Sequence, residues 1–357
     1  MPVILVEDDV VLRTVGVLLD PETPAERQAA IADYFSVDVP DFYRWRAGLR
    51  TGHAHLFPAA VRHIDGQEAF RAALPDADAV VIQNLEVGAS ELAAAPRLRL
   101  VQKFGTDARN IDAEACAHRG VAVRLLRRRV NIAVAEHAFM MMIALAKKLP
   151  QIDGRIDLDS LRAAGFKPRM YDRRHSASAN WARVPGLRTL HGATLGSLGM
   201  GEIGREMAER ARAFGMEVLY YQRNRLPPAL ESPLGLRYVG FEELLGASDF
   251  IAVQLPSNRS TQGMIDRRAF ARMRPGAIIV NISRAPIIDR AALLDALESG
   301  RLGGAGLDVH YEEPSQPDDP LKRFHNVILT PHTAVAGRGN GTADMEELLD
   351  NLAAALR

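Results

Sequence analysis

Short apolar runs alternate with helix-patterned segments along nearly all of this 357-residue chain, and that alternation restricts its fold more than any other feature. Val3–Val6, Ala79–Ile82, Leu98–Lys103 and Val121–Leu125 read as strands, with a helix around Ala89–Ala95. A second, more regular series reads as strands over Thr194–Leu198, Glu217–Tyr221, Phe250–Gln254, Ala277–Asn281, Ala305–Val309 and Val327–Thr330. Helices over Arg205–Phe214, Phe241–Leu245 and Arg290–Ser299 fall between them, and Asp344–Leu356 reads as a last amphipathic helix. Strands alternating with helices bury both faces of a parallel sheet. The fold class is therefore α/β with two doubly wound parallel-sheet domains, which the length fits at about 150 residues per domain.

Ile132–Leu149, between the two series, reads as a long helix that is apolar nearly all round. The stretch from Asn131 holds Glu136, His137, Lys147 and Lys148, so it reads as a buried helix, too short and too polar for a bilayer. Residues 150–191 are polar and irregular, which in a compact domain points to function, disorder or an interface. Lys and Arg number 44, as do Asp and Glu, so the basic surplus of a nucleic-acid binder is missing. The single cysteine, Cys116, excludes an intrachain disulfide and a cysteine-built metal site. It fits a reducing, cytoplasmic compartment. Glu7, Asp8 and Asp9 stand where a signal peptide needs basic and then apolar residues. Neither a membrane nor a nucleic-acid partner is expected.

Gly199-Met200-Gly201-Glu202-Ile203-Gly204 matches G-x-G-x-x-G between a strand and a helix. Gly199 permits the tight turn, Gly201 lets backbone N–H groups approach a pyrophosphate, and Gly204 lets the helix pack on the strand. The helix N-terminus then faces the phosphate charge. A six-stranded doubly wound sheet carrying this turn is the Rossmann arrangement. Gln222 follows the second strand, at the position where an acid would bind the adenosine 2′-hydroxyl of NAD. Gln222-Arg223-Asn224-Arg225 offers two arginines and no acid, which favours NADP, with NAD as the alternative.

Three further segments run off strand ends, where such sheets place their ligand crevice: Asn281-Ile282-Ser283-Arg284, Gly306–Pro314 and Thr330-Pro331-His332. An Arg, a Glu and a His converging there suit reduction of a 2-oxo acid. Arg284 can clamp the carboxylate and polarise the ketone, His332 can protonate the carbonyl oxygen, and Glu313 can hold the imidazole.

With these motifs the chain resembles the D-isomer-specific 2-hydroxyacid dehydrogenase family, from Ala79-Val80-Val81-Ile82 through Asn131–Ala138 to Thr330-Pro331-His332. The resemblance implies a Rossmann cofactor domain over 127–332 and a smaller flavodoxin-like substrate domain over 1–126 plus 333–357. It implies catalytic roles for Arg284, Glu313 and His332, and cofactor contacts from Glu202, Ile203, Pro256, Ile282 and Ser283. It further implies that Asp308 meets the nicotinamide carboxamide and that backbone amides at Gly105 and Thr106 bind the substrate carboxylate. It implies a substrate held between the domains, and a homodimer built on the Ile132–Leu149 helix and the segment after it.

Departures from the family pattern lie at Asp107 and Arg109 in the Gly105 loop, at Arg127-Arg128-Arg129, and at Ala285 after the catalytic arginine. The arginine run reads as extra anion recognition, as a solvated basic hinge or as a subunit contact. His53, His55 and His63 read as parts of a polar loop, with no metal site expected. The favoured activity is reduction of a small 2-oxo acid, such as glyoxylate or hydroxypyruvate, to the D-2-hydroxy acid. Phosphoglycerate dehydrogenase is an alternative, weakened by Gln83-Asn84, which offers no arginine. A nucleotide-sensing corepressor-like binding protein of the same fold is the rival from another class.

Overall fold

A computed structural model describes all 357 residues. The chain forms two compact units, residues 1–131 with 335–357, and residues 132–334.

The first unit holds a five-stranded parallel sheet. Its strands are β1 (Val3–Glu7), β2 (Ala60–Ile64), β3 (Ala79–Ile82), β4 (Leu100–Lys103) and β5 (Ala122–Leu125), in spatial order β2-β1-β3-β4-β5. That is the flavodoxin-like order. Successive strand residues serve opposite faces. Ile4, Val6 and Val81 join one core with Met345, Leu348 and Leu352 of the helix Gly339–Ala355. Leu5, Val80 and Ile82 join the other core with Phe70 and Leu92. The C-terminal helix thus completes the first unit.

The joints predicted at 126/127 and 332/333 shift to 131/132 and 334/335. The arginine run explains the first shift. The Arg129 backbone N–H and guanidinium reach Asp344, at 3.0 Å each, and the guanidinium also reaches Glu347 at 2.9 Å. Arg128 lies over the Phe104 ring. Arg128 and Arg129 therefore anchor the first unit rather than form a solvated hinge.

The second unit holds a seven-stranded parallel sheet. Its strands are β6 (Thr194–Leu198), β7 (Glu217–Tyr221), β8 (Leu236–Tyr238), β9 (Phe250–Val253), β10 (Ala277–Asn281), β11 (Leu302–Leu307) and β12 (Val327–Leu329). Their order, β12-β11-β10-β9-β6-β7-β8, is the Rossmann order with one strand added. The order reverses between β6 and β9, the switch point where such sheets bind ligands. Leu198, Ile251, Ile279 and Leu307 pack there against Leu244, Phe270 and Leu293 of the covering helices.

The alternation pattern misses two strands. β2 is a half-exposed edge strand carrying Arg62 and His63, and β8 is a three-residue edge. Edge strands lack the continuous apolar run of central ones. β2 also corrects the placing of the histidines. His63 sits on that strand, while His53 and His55 hydrogen-bond to Asp350 and the Ala353 carbonyl of the C-terminal helix. β11 begins earlier than predicted because Gly303 and Gly304 conceal its start. Gly306 is required there: a Cβ would stand 2.8 Å from the Met141 Sδ.

Met141 belongs to the helix Arg129–Ala146. Contrary to expectation, that helix is long and apolar enough to cross a membrane by length and composition alone; 61% of it is buried inside the protein. Burial against the β11 glycines accounts for its apolar faces.

Candidate active site

The glycine turn joins β6 to the helix Glu202–Ala213. Gly199 has φ 98°, and a Cβ there would meet the Gln254 carbonyl oxygen at 2.9 Å. A Cβ at Gly204 would come within 2.9 Å of the Gly199 carbonyl oxygen. Both glycines are demanded by this chain's own packing. Gly201 is different: a Cβ there would meet nothing within 4 Å. Open space in front of a helix N-terminus is what an approaching pyrophosphate needs, so these residues fit a dinucleotide. Glu202 and Ile203 form the first turn of the helix behind it.

The loop after β7 is tied to this turn. Gln222 Oε1 accepts from the Met200 N–H at 3.1 Å, and Gln222 Nε2 donates to the Asn224 carbonyl at 2.6 Å. Arg225 is held by both oxygens of buried Glu231, at 2.9 and 2.8 Å. The Tyr220 hydroxyl also donates to Glu231 and accepts from the Leu226 N–H. Burial, with the Glu231 carboxylate next to it, pushes the Tyr220 phenol up to about 12. Of the two arginines read as phosphate contacts, Arg225 is therefore engaged internally. Arg223 is exposed. Pro256 follows β9, and its carbonyl accepts from the Thr261 hydroxyl at 2.6 Å.

His332 and Glu313 come together. His332 Nδ1 lies 2.8 Å from Glu313 Oε2. A carboxylate on Nδ1 fixes the tautomer and leaves Nε2 for proton exchange. The other Glu313 oxygen accepts from the His310 N–H at 2.9 Å, and His310 Nε2 meets the Thr330 carbonyl at 2.8 Å. Burial pushes the Glu313 carboxyl up, but hydrogen bonds from His332 and His310 outweigh it and hold it below the usual 4.5. His332 has φ 55°, a left-handed conformation that costs energy for a residue with a Cβ.

Asp308, at 1% exposure, keeps His332 in that conformation. Its carboxylate accepts from the Thr330 hydroxyl at 2.6 Å, the Thr333 N–H at 2.8 Å and the Ala334 N–H at 2.9 Å. It grips the chain on both sides of His332. His137 Nε2 lies 3.0 Å from the same Thr330 hydroxyl. Because Thr330 donates to Asp308, His137 is the donor there. The sequence reading gave Asp308 a cofactor contact and assigned no role to Thr330 or His137. The histidine in an apolar helix was the visible signal.

Arg284 follows β10, whose neighbour β11 leads to Asp308 and Glu313. Asn281, 1% exposed, builds its turn. The Asn281 side chain donates to the Arg284 carbonyl and accepts from both the N–H and the hydroxyl of Ser283, all at 3.0 Å. The Arg284 guanidinium is exposed and donates to the Ser283 carbonyl at 2.6 Å. Ile282 is buried and Ser283 half-buried.

Gly105 and Thr106 follow β4 in the first unit, and the Gly105 carbonyl accepts from the Leu126 N–H. The departures in that loop neutralise each other: Arg109 binds Asp107 at 2.8 and 2.6 Å.

Residues 139–334 match the D-isomer specific 2-hydroxyacid dehydrogenase family, NAD binding domain. The chain belongs to this family. It is 35% identical over 285 residues to a glyoxylate reductase of Korarchaeum cryptofilum, covering 79% of this chain and 80% of that protein. It is 36% identical over 290 residues to a D-3-phosphoglycerate dehydrogenase of Mycobacterium leprae, covering 80% of this chain and 50% of that one. The chain thus spans about half the length of the phosphoglycerate dehydrogenase it matches. A glyoxylate reductase structure from Paecilomyes thermophila aligns with TM-score 0.55 at 27% identity, covering 100% of this chain and 95% of that one. The family domain is a nicotinamide-cofactor domain, in agreement with the glycine turn.

Proposed function

We propose that this protein reduces a small 2-oxo acid of the glyoxylate or hydroxypyruvate kind to the D-2-hydroxy acid, using NADP(H) or NAD(H). The His332–Glu313 pair, held beside the glycine-turn sheet, is the observation that carries this reading. When bound, the nicotinamide supplies hydride to the carbonyl carbon. His332 Nε2 delivers the proton to the carbonyl oxygen, and Glu313 holds the imidazole by its Nδ1. Arg284, with two free prongs of its guanidinium, holds the substrate carboxylate and polarises the ketone. Backbone amides at Gly105 and Thr106 are proposed to bind a substrate carboxylate. The protein works as a homodimer in a reducing cytoplasm. Met140, Leu149, Ile156 and Met170 are exposed apolar side chains on one helix and the segment after it, which supports self-association.

NADP(H) is the preferred cofactor, received at Arg223, because no acid at 222 repels a 2′-phosphate. Phosphoglycerate is the second reading, favoured by the 36% identity to the dehydrogenase named for it. The loop after β3 weighs against it. Its N–H groups at Gln83 and Asn84 both donate to the Glu7 carboxylate, so the donors a phosphate would use are occupied by an acid.

Steady-state assay of a 2-oxo-acid panel with each cofactor tests the activity. Turnover of glyoxylate or hydroxypyruvate is expected. Cofactor binding without turnover of any acid would favour the nucleotide-sensing binding protein.

A further inference from the structure

The second unit carries a cavity of about 670 Å³ that the dehydrogenase chemistry does not use. Lys148, Arg155, Lys167, Arg183 and His325 line it, together with the Phe166 ring, and no carboxylate does. None of these five basic groups is bonded to an Asp or Glu anywhere in the chain. Arg129, Arg210 and Arg225 are each held by carboxylates, and the chain has as many acids as bases. Like charges gathered without counter-charge repel one another and raise the local positive potential. A bound anion relieves that cost.

The backbone prepares the same groups. Lys148 and Arg183 have φ 53° and 55°, left-handed values uncommon for residues with a Cβ. Such strain gathers at ligand sites where surrounding structure enforces it. Arg183 is enforced by a turn: its N–H donates to the Asn180 carbonyl at 2.9 Å. Asn180 Oδ1 accepts from the Val184 N–H at 3.0 Å, and Asn180 Nδ2 donates to the Val184 carbonyl at 3.1 Å. Val184 itself is buried. Lys148 marks the break between the helices Arg129–Ala146 and Leu149–Ile152. Arg155 spends one guanidinium nitrogen on the Gln151 carbonyl at 2.8 Å, which fixes its fork and leaves other donors. His325 arrives from the distant segment before β12, so tertiary folding assembles the set.

We propose that this cavity is a binding site for a small phosphate-bearing anion with two or more negative charges. Four permanent cations exceed what a monocarboxylate substrate would neutralise. Two guanidinium forks match phosphate geometry, and the Phe166 ring gives an apolar wall to the rest of the molecule. None of the lining residues belongs to the glycine turn or to the His332 pair, so the inference is independent of the proposed chemistry, though four of the basic groups lie in the stretch read as the homodimer contact.

Isothermal titration of the full chain with inorganic pyrophosphate tests it, with NADPH at saturation to occupy the glycine turn. One saturable site is expected, weakened about tenfold or more by Lys148→Gln with Arg183→Gln, consistent with the loss of two charge-assisted contacts. Arg155→Gln with Lys167→Gln gives the same loss without touching a left-handed residue. Unfolding midpoints measured without pyrophosphate show that each variant folds. No binding by the wild type, equal binding by both variants, or tighter binding of citrate than of pyrophosphate would overturn the proposal. So would dimer dissociation in the variants with no pyrophosphate effect, which would make the cavity a subunit contact.

Discussion

Glu231 grips Arg225 with both carboxylate oxygens, at 2.9 and 2.8 Å, and so occupies the arginine fork as a phosphate would. An arginine placed by sequence beside the adenosine position is thereby withdrawn from it. Arg225 is itself exposed, and Arg223 is left as the cation of the loop without a carboxylate partner. Arg223→Ala is expected to weaken NADPH about tenfold or more and NADH about twofold or less, as loss of one phosphate contact requires. Glu231→Gln releases Arg225 and raises NADPH affinity relative to NADH. Fluorescence titration of both cofactors reads each effect; equal changes for the two cofactors would contradict the assignment.

His332→Ala removes the proposed proton donor, and kcat is expected to fall by about 10²–10⁴. Glu313→Gln keeps the hydrogen-bonding shape but loses the charge, so a smaller fall is expected. Its pH dependence has a definite sign. The Glu313 carboxyl lies below its usual 4.5, so the pair survives as pH falls through that value and is lost only below it. An acid limb in kcat/KM near the usual value that disappears in Glu313→Gln would contradict this.

Asp308→Ala strips three hydrogen bonds from the residues flanking His332, which then relaxes from its left-handed conformation. A fall in kcat is expected, with a stability loss of about 2–4 kcal/mol for the unsatisfied buried donors. Cofactor affinity should change about threefold or less. If Asp308 acts chiefly through the nicotinamide carboxamide, cofactor dissociation constants rise instead. Paired titration and turnover measurements on the one variant separate the two roles.

Glu91 offers a test in the first unit. Burial pushes its carboxyl up, but Arg71, the Ser90 hydroxyl and the Gly88 N–H prevail and bring it down to about 2 from 4.5. A depressed folded-state value adds stability that is present above the unfolded value and lost as pH falls toward about 2. The shift corresponds to about 3 kcal/mol at neutral pH. Glu91→Gln should lower unfolding free energy at pH 7 and flatten its decline in acid, measured by denaturant titration across pH. An unchanged slope would refute the role.

The sheets were legible because central parallel strands are buried on both faces. Ala79–Ile82, Thr194–Leu198 and Ala277–Asn281 coincide with β3, β6 and β10. The edge strands β2 and β8 were not legible, since half-exposed edges carry Arg62, His63 and Arg237 as loops do. Two 11-residue helices, Ala25–Phe35 and Phe42–Gly52, also lay outside the alternation, because charged residues interrupt their apolar stripe.

Sequence alone determined the α/β class, the strand–glycine–helix turn, and an Arg, a Glu and a His each following a strand. Those depend on local periodicity and short spacing. Tertiary structure decided which charges meet. It gave Arg225 to Glu231, Arg129 to Asp344, and the Asp308 carboxylate to the chain around His332. Ion pairs and buried hydrogen bonds act over a few ångströms, and only folding brings residues far apart in sequence within that reach.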